Sequence, residues 1–220
     1  MVVKIGSKAP NLKISKWVQG LPTNIDKLKD SVVLVEVFQV NCPGCFLYGI
    51  PEATKIYKKY RDDGAKVIGF ATAFEDYDRN TLENLELLLT TGEVIGETRN
   101  LLDQYGQLKE NKFLSYKIPF PVAMDSLLKE TGVISKGRVM DLIIKNVPDF
   151  ETYDEPNKAE IIERAKQYLS SKQYVAETFE EYGLRGTPSS ILVDKKGILR
   201  QTAFGQSVDL EEMVKKLLNE

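Results

Sequence analysis

Seven consecutive positions, Val32 to Phe38, are apolar at every place but one. A run of that length without alternation predicts a strand buried on both faces. Further on, Ala53, Ile56, Tyr57 and Tyr60 recur at i, i+3, i+4 and i+7 within residues 51–60, the spacing of one helix face. Residues 66–71, Lys-Val-Ile-Gly-Phe-Ala, are again β-rich. Strand, helix and strand in that order make a βαβ unit. Ahead of it, Leu12, Ile14 and Trp17 suggest a short strand with Trp17 packed in the core. Gly20-Leu21-Pro22 reads as a turn, and residues 25–28 as one turn of helix.

Beyond the unit the pattern from 75 to 117 is helical. Leu82, Leu85 and Leu89 share one face, Leu101, Leu102, Tyr105 and Leu108 another, and Thr91-Gly92 breaks the two. Residues 120–125 read as a strand. Residues 126–171 hold further helices, one starting near Asp154 and Pro156 with Ile161, Ile162, Ala165, Tyr168 and Leu169 at helical spacing. Residues 174–182 suggest another helix. Ser189–Val193, the turn Asp194-Lys195-Lys196-Gly197 and residues 198–204 form an antiparallel hairpin. A closing amphipathic helix over 208–218 turns Leu210, Met213, Val214 and Leu217 inward.

The chain of 220 residues is 42% hydrophobic and 28% charged, ordinary for a soluble globular protein. Lys+Arg 30 against Asp+Glu 32 leaves a net charge of −2, which gives no reason to expect nucleic acid or a membrane as partner. Residues 1–6 carry no apolar signal core, so a cytoplasmic location is expected.

Cysteine usage changes the picture. Both cysteines, Cys42 and Cys45, stand as C-x-x-C between the first strand and helix of the βαβ unit, the setting of a redox dithiol. With two cysteines and no histidine, the chain lacks the four ligands of a structural zinc site, so no metal is expected. The same absence excludes Cys-His and Ser-His catalysis. Cys42, at the helix entrance, faces unpaired N–H groups and the positive end of the helix dipole, which favour its thiolate. Pro43 suits the first helical position because it has no N–H to leave unpaired. Cys45 lies about one turn further in. Cys42 is therefore assigned as attacking thiol and Cys45 as resolving thiol. Glu36 interrupts the apolar strand, and a carboxyl desolvated there has a raised pKa and can trade protons with the dithiol. Its other reading is a strand-end carboxylate that caps a neighbouring group or pairs with a lysine.

The chain resembles the thioredoxin-like superfamily, in particular its TlpA/ResA-like and AhpC/TSA (redoxin) branch. The resemblance rests on Ile5-Gly6-Ser7-Lys8-Ala9-Pro10, residues 33–45 with the C-x-x-C, the segment Tyr182-Gly183-Leu184-Arg185-Gly186-Thr187-Pro188, and residues 192–197. It implies an α/β thioredoxin-like fold, with a mixed central β-sheet flanked by helices, as one domain over 1–220. Helical insertions are expected at about 76–118 and 126–175, with a lid, a partner surface or a homodimer interface as their roles. It also implies that Pro188 is a cis-proline facing the dithiol and that Thr187 pairs its backbone with a substrate chain. Glu36 falls where thioredoxins place a buried aspartate that assists proton transfer. Asn41 stands where the family often has tryptophan, and Pro51 follows the second cysteine by six residues where five is usual. Pro43 and Gly44, between the cysteines, influence the redox potential.

The implied activity is thiol-disulfide exchange with protein or small-molecule disulfides. No cofactor is expected beyond the Cys42–Cys45 disulfide, and a thioredoxin- or reductase-type donor would return electrons to it. A peroxiredoxin-like antioxidant peroxidase is the first alternative, although Gln39 occupies the place of that family's threonine. A binding or scaffold module on the same fold is the second.

Overall fold

The computed structural model describes residues 2–207 and 209–220. Among the described residues, seventeen strands and α-helices follow one another along the chain. They begin β1 (Ile14–Gln19), β2 (Val32–Phe38), α1 (Ile50–Tyr60) and β3 (Ala65–Ala71). Next come α2 (Leu82–Thr91), α3 (Gly96–Gln104), β4 (Leu108–Lys109), β5 (Phe113–Leu114), β6 (Val122–Asp125) and β7 (Leu127–Lys129). Then α4 (Lys136–Asn146), α5 (Glu155–Ser171), β8 (Tyr174–Ala176) and α6 (Glu177–Glu181) lead to β9 (Ser189–Val193), β10 (Leu199–Phe204) and α7 (Leu210–Leu218). Among the described residues no helix is long and apolar enough to cross a membrane.

Six strands make one mixed sheet in the order β1-β6-β3-β2-β9-β10. β2 runs parallel to β3, and β3 to β6, while β9 pairs antiparallel to both β2 and β10. Every residue of β2 is buried, as its unbroken apolar run requires of a central strand covered on both sides. Alternation along a strand then sorts its residues between two layers. Val32, Leu34 and Phe38 join a core with α1 and α7 residues such as Ile56 and Val214. Val33, Val35 and Val37 join Phe179 and Tyr182 on the opposite face. Glu36, in step with Leu34 and Phe38, therefore lies on the α1 side. The α/β thioredoxin-like arrangement expected from the sequence is the one observed.

Between β3 and β6, the break expected at Thr91-Gly92 is the end of α2. The Thr81 hydroxyl accepts from Asn84 N–H at the start of α2, and Gly92, at φ +83°, ends it in the left-handed conformation. Leu85 and Leu102 are buried here, but Tyr105 is exposed. Leu108 belongs to a two-stranded hairpin, β4–β5, and not to a helix face. A glycine at φ +65°, Gly106, terminates α3 before Leu108 can join it. Residues 174–182 also differ from the single helix expected. They form strand β8 and then the short helix α6, since β8 pairs with β7. The expected start of the last helix, Val208, lies outside the described residues, as does Met1.

The chain divides into two compact units, one made of residues up to 127 together with 176–220, the other of residues 128–175. The second unit holds α4 and α5, with Val139, Ile143, Phe150, Ala165 and Leu169 as its core. Asp154 caps α5 by accepting from Asn157 N–H. Ile161 and Ile162 are half-buried against that core, and Tyr168 is exposed rather than inward.

Candidate active site

Cys42 and Cys45 come just after β2, with Gln39, Val40 and Asn41 between its carboxyl end and Cys42, where the chain enters a helix. Pro43 and Gly44 are already helical. The two cysteines are joined as a disulfide, with Cα atoms 5.4 Å apart, a normal separation for such a bridge. Cys45 is fully buried, and Cys42 keeps 9% of its surface exposed. The Cys45 N–H lies 3.2 Å from Cys42 Sγ and points a donor at it. When the bridge is open, that donor favours the Cys42 thiolate over the thiol.

The residues after Cys45 form a turn wider than an α-helix. Cys45–Gly49 is a π-helical turn, closed by Ile50 N–H donating to the Cys45 carbonyl. An extra residue in a helix is commonly absorbed this way, which accounts for Pro51 standing six places after Cys45. The wide turn brings Gly49 against the sheet. A methyl group at Gly49 would overlap Glu36 Oε1 and stand 2.7 Å from Pro188 Cβ. Glycine is thus the residue that fits between the strand carboxyl and the proline loop, a role the sequence reading did not assign.

The Thr187–Pro188 peptide is cis. The Thr187 carbonyl oxygen lies 3.6 Å from Cys42 Sγ. Pro188 Cδ is 3.6 Å from where a Gly44 Cβ would be, so proline and dithiol loop face each other. Phe204, exposed at the end of β10, covers Gly186, and Gly205 N–H donates to the Pro188 carbonyl.

Glu36 is 2% exposed, and its Oε1 has no hydrogen-bond partner among the described residues. Burial holds its carboxyl well above the usual carboxylate range, with the like charge of Glu52 adding to the effect. No lysine is among the groups acting on it, in contrast to the paired reading of this residue.

Asn41, buried just before Cys42, is held on three sides. Its N–H donates to Asn80 Oδ1, its amide donates to Asp76 Oδ2, and its Oδ1 accepts from Glu97 N–H, each at 2.8 Å. Gln39 is buried with its Oε1 bound to Phe74 N–H. Asp125 stands at the end of the strand that the sequence places over 120–125. It is buried and accepts from the Thr72 hydroxyl and from Thr178 and Phe179 N–H at the start of α6. Burial raises its pKa to about 6. It anchors the helix from which the chain proceeds to Thr187 and Pro188. A carboxylate closing an apolar strand was the one sign of it in the sequence.

No family model matches the chain, and no curated protein does either. Solved structures match along its whole length. A thiol-disulfide isomerase from Corynebacterium glutamicum shares 28% identity at a TM-score of 0.60, covering 98% of this chain and 97% of its own. A thioredoxin-like superfamily protein shares 25% identity at a TM-score of 0.58, with 97% of each chain covered. A thioredoxin-like protein in its oxidized form has the same fold at 17% identity and a TM-score of 0.53, covering 99% of this chain and 98% of its own. With a bridged C-x-x-C at the carboxyl end of a central parallel strand and a cis-proline loop facing it, the chain belongs to the thioredoxin-like superfamily.

Proposed function

We propose that this protein is a thiol-disulfide oxidoreductase acting on protein or small-molecule disulfides. The observation that carries this reading is the placement of the Cys42–Cys45 bridge against the Thr187 carbonyl and Pro188. The structural neighbour that shares 28% identity is a thiol-disulfide isomerase, which supports it.

In the reduced protein the Cys42 thiolate attacks one sulfur of a substrate disulfide. A Cys42–substrate bond forms, the substrate S–S bond breaks, and one substrate thiolate leaves. Glu36, as carboxylate, takes the Cys45 proton. Cys45 then attacks Cys42 Sγ, forming the bridge seen here and releasing the second substrate thiolate. The substrate gains two electrons and the dithiol loses two. A thioredoxin- or reductase-type donor restores the dithiol by the reverse exchange. Thr187 offers its backbone beside the attacked sulfur, where an extended substrate strand can pair. The buried Gln39, committed to Phe74 N–H, stands where a peroxidase would place a threonine, and this favours disulfide over peroxide as oxidant.

Cys45→Ser tests the reading. Reduced variant incubated with a small disulfide-bonded protein should accumulate a mixed disulfide through Cys42, detected by non-reducing gel and mass spectrometry. A folded variant that traps nothing, while hydrogen peroxide oxidises reduced wild type far faster than an ordinary exposed thiol, would overturn it.

A further inference from the structure

The segment between β3 and β6 touches the dithiol loop on both sides. Before Cys42, Asn41 is bound by Asp76, Asn80 and Glu97 as described, and the Thr98 hydroxyl donates to the Val40 carbonyl at 2.8 Å. After Cys45, the Tyr116 hydroxyl donates to the Phe46 carbonyl at 3.0 Å, inside the π-helical turn. These contacts are built into the segment's own backbone. Asp76 holds φ +46°, a conformation few residues other than glycine, asparagine and aspartate adopt readily, and its carbonyl accepts from both Arg79 and Asn80 N–H. Gly96, at φ +52°, leaves no room for a side chain, since a methyl there would overlap Asn41 Oδ1.

Asn41 Oδ1 is also the partner of an N–H in the first turn of α3, whose own N-cap residue, Ile95, has no side chain able to accept. The residue before the attacking cysteine thus caps a helix of the inserted segment. That directs the positive end of α3 at the backbone carrying Cys42. The Asn41 amide meanwhile occupies the Asp76 carboxylate. Other charges around this junction are Glu75, Asp78, Arg79 and Glu97, with Arg79 about equally far from Asp78 (3.9 Å) and Glu97 (4.0 Å).

We propose that the inserted segment is a clamp on the dithiol loop, with Asn41 its central positioning residue, and that the clamp sets the reactivity of Cys42. This rests on Cys42 being the attacking thiol. Releasing either side loosens the loop, turns the Cys45 N–H away from Cys42 Sγ and disfavours the thiolate. Releasing Asn41 also leaves Asp76 uncompensated.

The test is the pH profile of Cys42 alkylation by iodoacetamide in the fully reduced chain, followed by peptide mass spectrometry. Asn41→Ala, Thr98→Val and Tyr116→Phe should each move the profile to higher pH, with alkylation near neutrality slowed roughly fivefold for Asn41→Ala, the scale of one helix-terminus interaction. Leu89→Ala, which removes apolar packing of α2 but none of the hydrogen bonds to the loop, should lower the melting temperature and leave the profile in place. The near-isosteric Thr98→Val and Tyr116→Phe keep the test open if Asn41→Ala does not fold. Profiles of the clamp variants that superimpose on wild type, or an equal shift in Leu89→Ala, would overturn the clamp. Alkylation reports Cys42 directly, so that outcome is distinct from a failure of Cys45→Ser to trap a substrate.

Discussion

The buried carboxyl of Glu36 makes stability depend on pH. A carboxyl whose folded-state pKa lies above its unfolded value supports folding fully below the unfolded value, and that support is lost as the pH rises through the folded value. For Glu36 the loss begins near the ordinary glutamate pKa of about 4.3 and continues upward to its raised folded-state value. Glu36→Leu should therefore be more stable than wild type at neutral pH, with the gap closing toward pH 4, read from urea midpoints across that range. Asp125 adds a loss of the same sign up to about pH 6 in both proteins, so the difference between them isolates Glu36. The same variant should resolve mixed disulfides more slowly while Cys42 attacks at an unchanged rate, separable by single-turnover kinetics. Glu36 was legible in the sequence because a charge inside an apolar run stands out. Asn41 was legible only as a departure from the family. Its three partners come from positions 76, 80 and 97, which no local pattern links to it.

The decisive element is the π-helical turn after Cys45. The spacing of Pro51 already set it apart, since six residues instead of five cannot keep an α-helical register from Cys45. What the extra residue does was settled by packing, which carries Gly49 into the space between Glu36 and Pro188. Gly49→Ala should lose about 1–3 kcal/mol of stability, the range for forcing a methyl into a filled core, measured by denaturant unfolding. Disulfide exchange should slow as well, because the groups displaced are the carboxyl and the proline loop. Other element boundaries followed sequence where a cap or turn residue marked them. Gly92, Asp154 and the turn at 194–197 all stand where the sequence puts a boundary. Boundaries were misread where leucine spacing was the only guide, as at Leu108. Two-residue strands such as β4 and β5 exist through pairing with each other, which periodicity along a single segment cannot register.

At the scale of the molecule, the two compact units should differ in how easily they open. Residues 128–175 rely on a core of five buried apolar side chains, among them Ile143 and Phe150, with a few half-buried ones against it. Small cores bury a smaller share of their surface and give correspondingly marginal units. Native-state hydrogen exchange should show α4 and α5 amides exchanging well before those of β2, β3 and β9. Ile143→Ala should accelerate exchange in 128–175 and leave the central sheet unchanged. Equal protection throughout would mean that the chain opens as one cooperative body.

The sequence by itself determined the central strand, the C-x-x-C dithiol at its end, and the hairpin of β9 and β10. These depend on local patterns: an unbroken apolar run, a fixed cysteine spacing, turn residues between two β-rich stretches. Tertiary structure alone decided what closes around Gly49 and Asn41. Glu36, Gly49 and Pro188 meet, and Asn41 meets Asp76, Asn80 and Glu97, through contacts between residues tens to over a hundred positions apart. Such contacts follow from how layers pack on a sheet. Nothing in the identity of any one residue announces them.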